Sequence, residues 1–177
     1  MINNAPLKHF LEIPYEKLEE MNLSAKKKQT TQDPKTLATE YRSYLKKEKL
    51  IKAVTLCFSD IEGRFHMLDY DKKFFLESYD NLTFDGSSIR GFTQQKESDL
   101  RLSVDWTSIM WLPSDVFGPG KVIFFANILN RERGQYESDF RGILQEYSQN
   151  LKAKKGLTAY ASAEIEGFLL NEIGAEQ

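Results

Sequence analysis

Two glutamates one residue apart, Glu164-Ile165-Glu166, are the sharpest candidates for chemistry in this chain of 177 residues. They lie in a run from Thr158 to Leu170 that reads as a β-strand. In a strand, side chains at i and i+2 share one face, roughly 7 Å apart. Two carboxylates so placed repel each other and are costly to bury unpaired. Solvent relieves that cost, and so does a hard divalent cation such as Mg²⁺ or Mn²⁺, which takes carboxylate oxygens. The flanking letters, Ala159-Tyr160-Ala161 and Phe168-Leu169-Leu170, argue against a fully solvated face. On these residues alone three readings stay open: an exposed acidic strand face, a metal site, and a glycosidase-like carboxylate pair. No substrate-binding aromatic cluster lies nearby in sequence to favour the last.

The second feature is Phe84-Asp85-Gly86-Ser87-Ser88-Ile89. Asp-Gly marks a tight turn, and two hydroxyls follow it. One reading is a plain loop turn. The other is an acidic latch with hydroxyl donors, aimed at a small cation or a polar substrate. There is no Walker loop, no G-x-G-x-x-G and no Ser-His-Asp arrangement. Two histidines and one cysteine give nucleophilic catalysis little support. The single Cys57 excludes an internal disulfide framework and a Cys-rich zinc site. It reads as a small buried residue of a strand, and His66 reads as a surface or packed histidine.

The elements that must position these residues follow from periodicity. Pro14 fits the first turn of a helix to about Lys28, with Leu18, Met21 and Ala25 on one face. Residues 29–33 are polar and read as a linker. Asp33 and Pro34 suit the cap and first position of a second helix, whose stripe is Leu37, Tyr41, Tyr44 and Leu45. Ala53–Phe58 is a β-branched, apolar strand that turns at 59–63 and returns through Arg64–Leu68 as a hairpin. A short helix or turn spans Asp71–Tyr79. Leu100–Val104 and Lys121–Leu129 read as strands. Residues 106–119 between them are irregular, with Trp106 and Trp111 as anchors beneath the loop. A third helix runs from about Phe140 to Lys154, before the strand that carries the two glutamates.

Strands interspersed with helices indicate an α+β fold. Composition is ordinary for a globular protein, at 41% hydrophobic and 28% charged. Apolar runs as short as Val122–Ala126 exclude a membrane span, and the N-terminus lacks the pattern of a signal peptide. A cytoplasmic protein is the expectation. Net charge is −2, and Lys26-Lys27-Lys28 is the only basic run. It suits the end of a helix, so neither nucleic acid nor a membrane surface is an expected partner.

Six blocks in order resemble the signature of type I glutamine synthetases. Phe84-Asp85-Gly86-Ser87-Ser88-Ile89-Arg90-Gly91-Phe92, then Glu97-Ser98-Asp99-Leu100, then Asp105 and Thr107, are similar to the family's FDGSSI-x-G-F/W, ESDM and PD-x-x-T. Phe58-Ser59-Asp60-Ile61-Glu62-Gly63 resembles its F-T-D-x-x-G hairpin. Tyr136-x-x-Asp139-x-Arg141 resembles Y-x-x-DPR, and Glu164-Ile165-Glu166-x-Phe168-Leu169 resembles EPEFFLF. The FDGSSI string is specific; the other blocks are weak singly and strong jointly. No family counterpart is named for residues 1–33.

The resemblance implies a β-grasp-like N-terminal domain at 34–130, preceded by an extension with one helix at 1–33. Residues 131–177 would be the first helix and strand of an incomplete catalytic domain. The family condenses glutamate with ammonia, using ATP, through a γ-glutamyl phosphate with Mg²⁺ or Mn²⁺ at the site. Glu164 matches the ligand of the ion on the ATP phosphates, and Glu166 a ligand of the ion near glutamate. Asp85 matches the acid that helps bind ammonium and take its proton. Ser88 matches a hydroxyl lining that pocket, and Asp99 an acidic residue of the same interfacial region. The family works as a homo-oligomer in which the β-grasp loop reaches the neighbouring subunit's site.

The pattern also departs from the family. Ile165 stands for the proline between the glutamates, and Gly167 for the phenylalanine after them. Phe140 replaces the proline of DPR, Val104 that of PD, and Phe92 stands where many members have tryptophan. The family's other metal ligands, ATP pocket and glutamate-binding arginine lie downstream of these residues. The expectation is therefore the N-terminal part of a glutamine synthetase, inactive by itself. The alternative is a naturally short, non-catalytic relative that docks onto the full-length enzyme.

Overall fold

The structure is a computed structural model that describes residues 13–94 and 98–169. The chain divides into two compact units, 1–144 and 145–177. The first holds nearly all of the regular structure. Helix α1 spans Tyr15–Thr31, directly after Pro14, and buries Leu18 and Ala25. It runs through residues expected to be a linker. Nothing in Gln29-Thr30-Thr31 breaks a helix, and both threonine hydroxyls donate back to the Lys27 carbonyl at 2.9 Å. The stop comes from Pro34, whose ring pushes Asp33 into an extended conformation. Asp33 then caps helix α2, Pro34–Lys47, accepting from the amides of Lys35 and Thr36.

Strands β1 (Ala53–Ser59) and β2 (Phe65–Asp71) form the expected hairpin, paired antiparallel from Ala53–Asp71 to Ser59–Phe65. Helix α3, Lys72–Ser78, is capped by the Asp71 carboxylate. Strand β3 (Leu82–Asp85) passes into a single 3-10 turn, Gly86–Ser88, within what reads as loop sequence. Strand β4 is Asp99–Val104, and β6 is Lys121–Leu129. The stretch expected to be irregular between them contains a two-residue strand, β5 (Met110–Trp111), and a one-turn helix, α4 (Ser114–Phe117).

The sheet runs β2-β1-β6-β4-β3, with β5 also on β6. Strand β6 occupies the centre. One edge pairs parallel with β1 over Lys121–Phe125; the other pairs antiparallel with β5 at Val122–Ile123 and with β4 over Ala126–Leu129. Val54, Leu56, Val122 and Phe124 join Leu37, Leu45 and Phe75 in one core. Leu18 and Ala25 of α1 belong to that core too. Phe124 is fully buried, and its ring meets those of Tyr41, Phe75 and Trp106. Both tryptophans act as anchors. Trp106 packs on Phe75 and Tyr79. The Trp111 indole N–H donates to the Tyr44 hydroxyl at 3.0 Å, and its backbone is held from both sides by the Asn22 amide. Cys57 is buried, and burial pushes its thiol up to about 11, so it is inert at neutral pH.

Helix α5, Phe140–Lys155, starts in the first unit and continues into the second. After Lys155 the described residues carry no regular secondary structure. This corrects the expected strand at 158–170, of which 158–169 is described. A strand needs a neighbour for its N–H and C=O groups, and no strand pairs with this segment among the described residues. Ile165, Phe168 and Leu169 are 97%, 96% and 104% exposed instead of packed. Gly167, which brings no side chain to a sheet, adds to the cost of ordering a strand here.

Truncating the central ring tests this packing. Phe124→Ala is expected to lower the unfolding free energy by about 3–5 kcal/mol in urea titration. A loss under about 1 kcal/mol would mean that β6 is not the centre of the core.

Candidate functional site

Asp85 ends β3 and opens the 3-10 turn. Its Oδ1 accepts from the Ser87 amide at 2.9 Å and the Ser87 hydroxyl at 2.6 Å; its Oδ2 accepts from the Ser88 hydroxyl at 2.8 Å. These hydroxyls, Ser87 first, hold the Asp85 carboxyl below the usual carboxylate range. The group is exposed and ionised at neutral pH. An ionised carboxylate has about four acceptor positions, so Oδ2 keeps capacity for a further donor. Asp99 faces Asp85 directly across the β3–β4 ladder, and both are exposed. Like charges opposite each other destabilise a strand pair, and a cation between them would relieve that cost.

The loop after Asp85 is fixed at several points. Gly86 is buried and donates its N–H to the Ser98 carbonyl at 2.7 Å. A Cβ there would lie 2.7 Å from a Leu100 methyl. Gly91 has φ +83°, and a Cβ on it would meet Ile61 of the β1–β2 turn at 2.1 Å. Arg90 reaches Glu62 of the same turn at 3.4 Å. Phe92 packs against Phe84 and Tyr136, and the Tyr136 hydroxyl donates to the Phe92 carbonyl at 2.6 Å.

The turn that receives this loop is organised by a buried acid. Asp60 is 4% exposed. Its Oδ1 accepts from the amides of Glu62 and Arg64, both at 2.9 Å, and its Oδ2 lies 2.8 Å from His66 Nε2. The His66 contact is the largest influence holding the Asp60 carboxyl low. His66 also stacks on Phe58, so it is a packed histidine. Residues 58–63 and 84–92, two separate sequence blocks, thus form one structural unit.

A second pair of blocks meets farther along. Arg141 reaches the Asp105 carboxylate at 2.5 Å, hydrogen-bonds the Asn127 side chain, and lies over the Phe125 ring. Asp105 Oδ1 also accepts from the Thr107 amide and hydroxyl at 3.0 and 2.6 Å. Burial pushes the Asp105 carboxyl up, but the Thr107 and Arg141 contacts outweigh it, leaving it below the usual range. Asp139 is 2% exposed and accepts from the Ile128 amide at 2.9 Å, tying the start of α5 to the end of β6. Burial raises the Asp139 carboxyl above its ordinary value. The sequence flagged these residues as motif letters, but nothing in their spacing gave the Asp105–Arg141 or Asp60–His66 contacts.

The structure therefore groups Asp85, Ser88 and Asp99. Glu164 and Glu166 lie in the other unit, exposed and outside any strand. Their oxygens are the right donor type for Mg²⁺ or Mn²⁺. Among the described residues, however, no group of three or more His, Cys, Asp or Glu is placed to hold a metal ion. The two carboxylates fit such an ion in chemistry and supply only part of a donor set. No helix of the described residues is long and apolar enough to cross a membrane.

Residues 50–131 match the model of the glutamine synthetase β-grasp domain. Glutamine synthetase of Thermotoga maritima is 33% identical over 130 residues, 72% of this chain and 29% of that protein. Glutamine synthetase of Thermus thermophilus is 32% identical over 67% of this chain and 28% of its own length. The fold is similar to that of Plasmodium falciparum glutamine synthetase solved by cryo-electron microscopy, with a TM-score of 0.56 and 21% identity over 66% of this chain and 22% of the other. The matched region spans under a third of the length of these relatives.

The Asp105–Arg141 pair gives an acid-dependent signature. A carboxyl lowered in the folded state contributes stability above its unfolded value, and that contribution is lost as pH falls through the folded value. Asp105→Asn is expected to cost about 1.5–3 kcal/mol near neutral pH and to flatten the loss of stability on acidification below about pH 4. Asp60, Asp69 and Asp85, also lowered, are common to both proteins and cancel in the difference. Parallel stability curves for wild type and variant would contradict the assignment.

Proposed function

Because residues 50–131 are a β-grasp domain of the glutamine synthetase family, we propose that this chain is the N-terminal part of a glutamate–ammonia ligase, which joins glutamate to ammonia at the expense of ATP. The observation that carries the reading is the ionised Asp85, held by Ser87 and Ser88 on a loop pinned to the β1–β2 turn. An exposed carboxylate with spare acceptor capacity suits ammonium, a small cation with four N–H donors. Asp99 adds a second negative charge across the ladder. The Ser88 hydroxyl fixes the orientation of the Asp85 carboxylate. When ammonium gives up a proton before attack, Asp85 is the acceptor within reach.

Glu164 and Glu166 would contribute oxygen ligands to Mg²⁺ or Mn²⁺ once the remaining donors are supplied. Such an ion neutralises phosphate oxygens during phosphoryl transfer. The exposed Asp85 loop fits a site shared between subunits of a homo-oligomer, with the ATP pocket mostly outside these residues. A second reading, a non-catalytic relative that docks onto a full-length enzyme, draws on the exposed Phe140, Ile143, Leu144 and Tyr147 of α5. Co-elution with a full-length glutamine synthetase would favour it.

Two measurements test the catalytic reading. The 177-residue chain incubated with glutamate, ammonia, ATP and Mg²⁺ is expected to form no glutamine; steady ATP-dependent turnover would contradict the shared-site account. Replacing the β-grasp domain of the Thermotoga maritima relative with residues 34–130 is expected to give an active enzyme. Asp85→Asn in that chimera is expected to lower turnover by roughly 10²-fold or more at unchanged melting temperature. A folded chimera indifferent to Asp85 would overturn the role given to it.

A further inference from the structure

Where β3 starts, at the end of the β3–β4 ladder away from Asp85, the sheet leaves a hollow. Strand β3 pairs with β4 only as far as Leu82–Leu102, so Ser103 and Val104 lack a neighbour from β3 on that side. The chain between α3 and β3 and the turn after β6 close over the gap. The result is a hollow of about 300 Å³ lined by Tyr79, Asp80, Arg101, Ser103, Trp106 and Arg133, among others.

Two arginines converge there on one neutral atom. Arg101 Nη1 and Arg133 Nη2 both donate to Asn81 Oδ1, the latter at 3.4 Å. Arg101 Nε donates to the Arg131 carbonyl at 3.3 Å. Among the described residues neither guanidinium forms an ion pair with a carboxylate, although Asp80 lines the same hollow. Two like charges sharing a single amide oxygen repel, and most of their N–H donors remain for another acceptor. A third guanidinium, that of Arg42, stands behind the aromatic wall, bonded to the Tyr79 hydroxyl and lying over the Tyr79 and Trp106 rings. Arg133 has φ 66°, the only described residue besides glycine with positive φ. A left-handed arginine is unfavourable, and the side chain of this one shares the Asn81 oxygen with Arg101.

We propose that this hollow binds a small oxyanion, a phosphate or carboxylate group, between Arg101 and Arg133. The planar guanidinium forks match either group, and Ser103 lines the same hollow. The site is separate from Asp85, so its failure would leave the ligase reading untouched.

The test is calorimetric titration of the full chain with inorganic phosphate, against sodium chloride at matched ionic strength. Wild type is expected to give a saturable one-to-one heat with phosphate and none with chloride. Arg101→Gln and Arg133→Gly are each expected to weaken phosphate at least tenfold. Arg133→Gly relieves the positive φ, so its melting temperature should hold or rise, which separates lost binding from lost folding. Competition by acetate would assign the site to carboxylates as well, and its absence to phosphate; both support the oxyanion site. Unchanged binding in both variants, or a heat matched by chloride, would overturn it.

Discussion

A strand paired on both edges, with one face wholly buried, has little freedom, and β6 is such a strand: Val122, Phe124, Ala126 and Ile128 are all buried. Its first half lies between β1 and β5, and its second half holds β4. Phe124 packs against Tyr41 of α2 and Phe75 of α3, while the Ile128 amide is claimed by Asp139 at the start of α5. Because β6 carries β4, it also carries Asp99, and through the β3–β4 ladder it sets the height of Asp85. The candidate site is thus displayed at the end of a chain of backbone pairings that begins in the core.

The Asp85 loop gains its definition from contacts unlike those of the sheet. The sheet fixes where the loop starts and returns. Ile61 against Gly91, Glu62 with Arg90, and Tyr136 with the Phe92 carbonyl fix where its middle goes. The buried Asp60 makes the receiving turn rigid by accepting from two amides and contacting His66. An exposed polar loop built this way can hold its carboxylate orientation without a partner, as preorganised recognition of a small cation requires.

Much of this was legible in the sequence because it is local. The bounds of β6 follow from an apolar run between Gly120 and Asn130, and Asp33-Pro34 marks a helix start by side-chain chemistry alone. The FDGSSI string pointed to Asp85 and Ser88, and the two hydroxyls do bond to that carboxylate. What stayed hidden is non-local. Asp105 and Arg141 are brought together only by the fold, as are Asn81, Arg101 and Arg133. Helix α1, set apart by the polar residues after it, buries Leu18 and Ala25 in the common core. The apolar letters around Glu164 and Glu166 read as a strand, yet a strand forms only where backbone partners exist, and periodicity carries no information about those.

The central claim, that these residues are part of a glutamate–ammonia ligase, is tested most directly by the intact mass of the protein isolated from the cell that makes it. A species well above 20.5 kDa that contains this sequence near its N-terminus is the expected result. A protein of 20.5 kDa and no larger form would contradict it and turn the question to the full-length enzyme that such a chain would join.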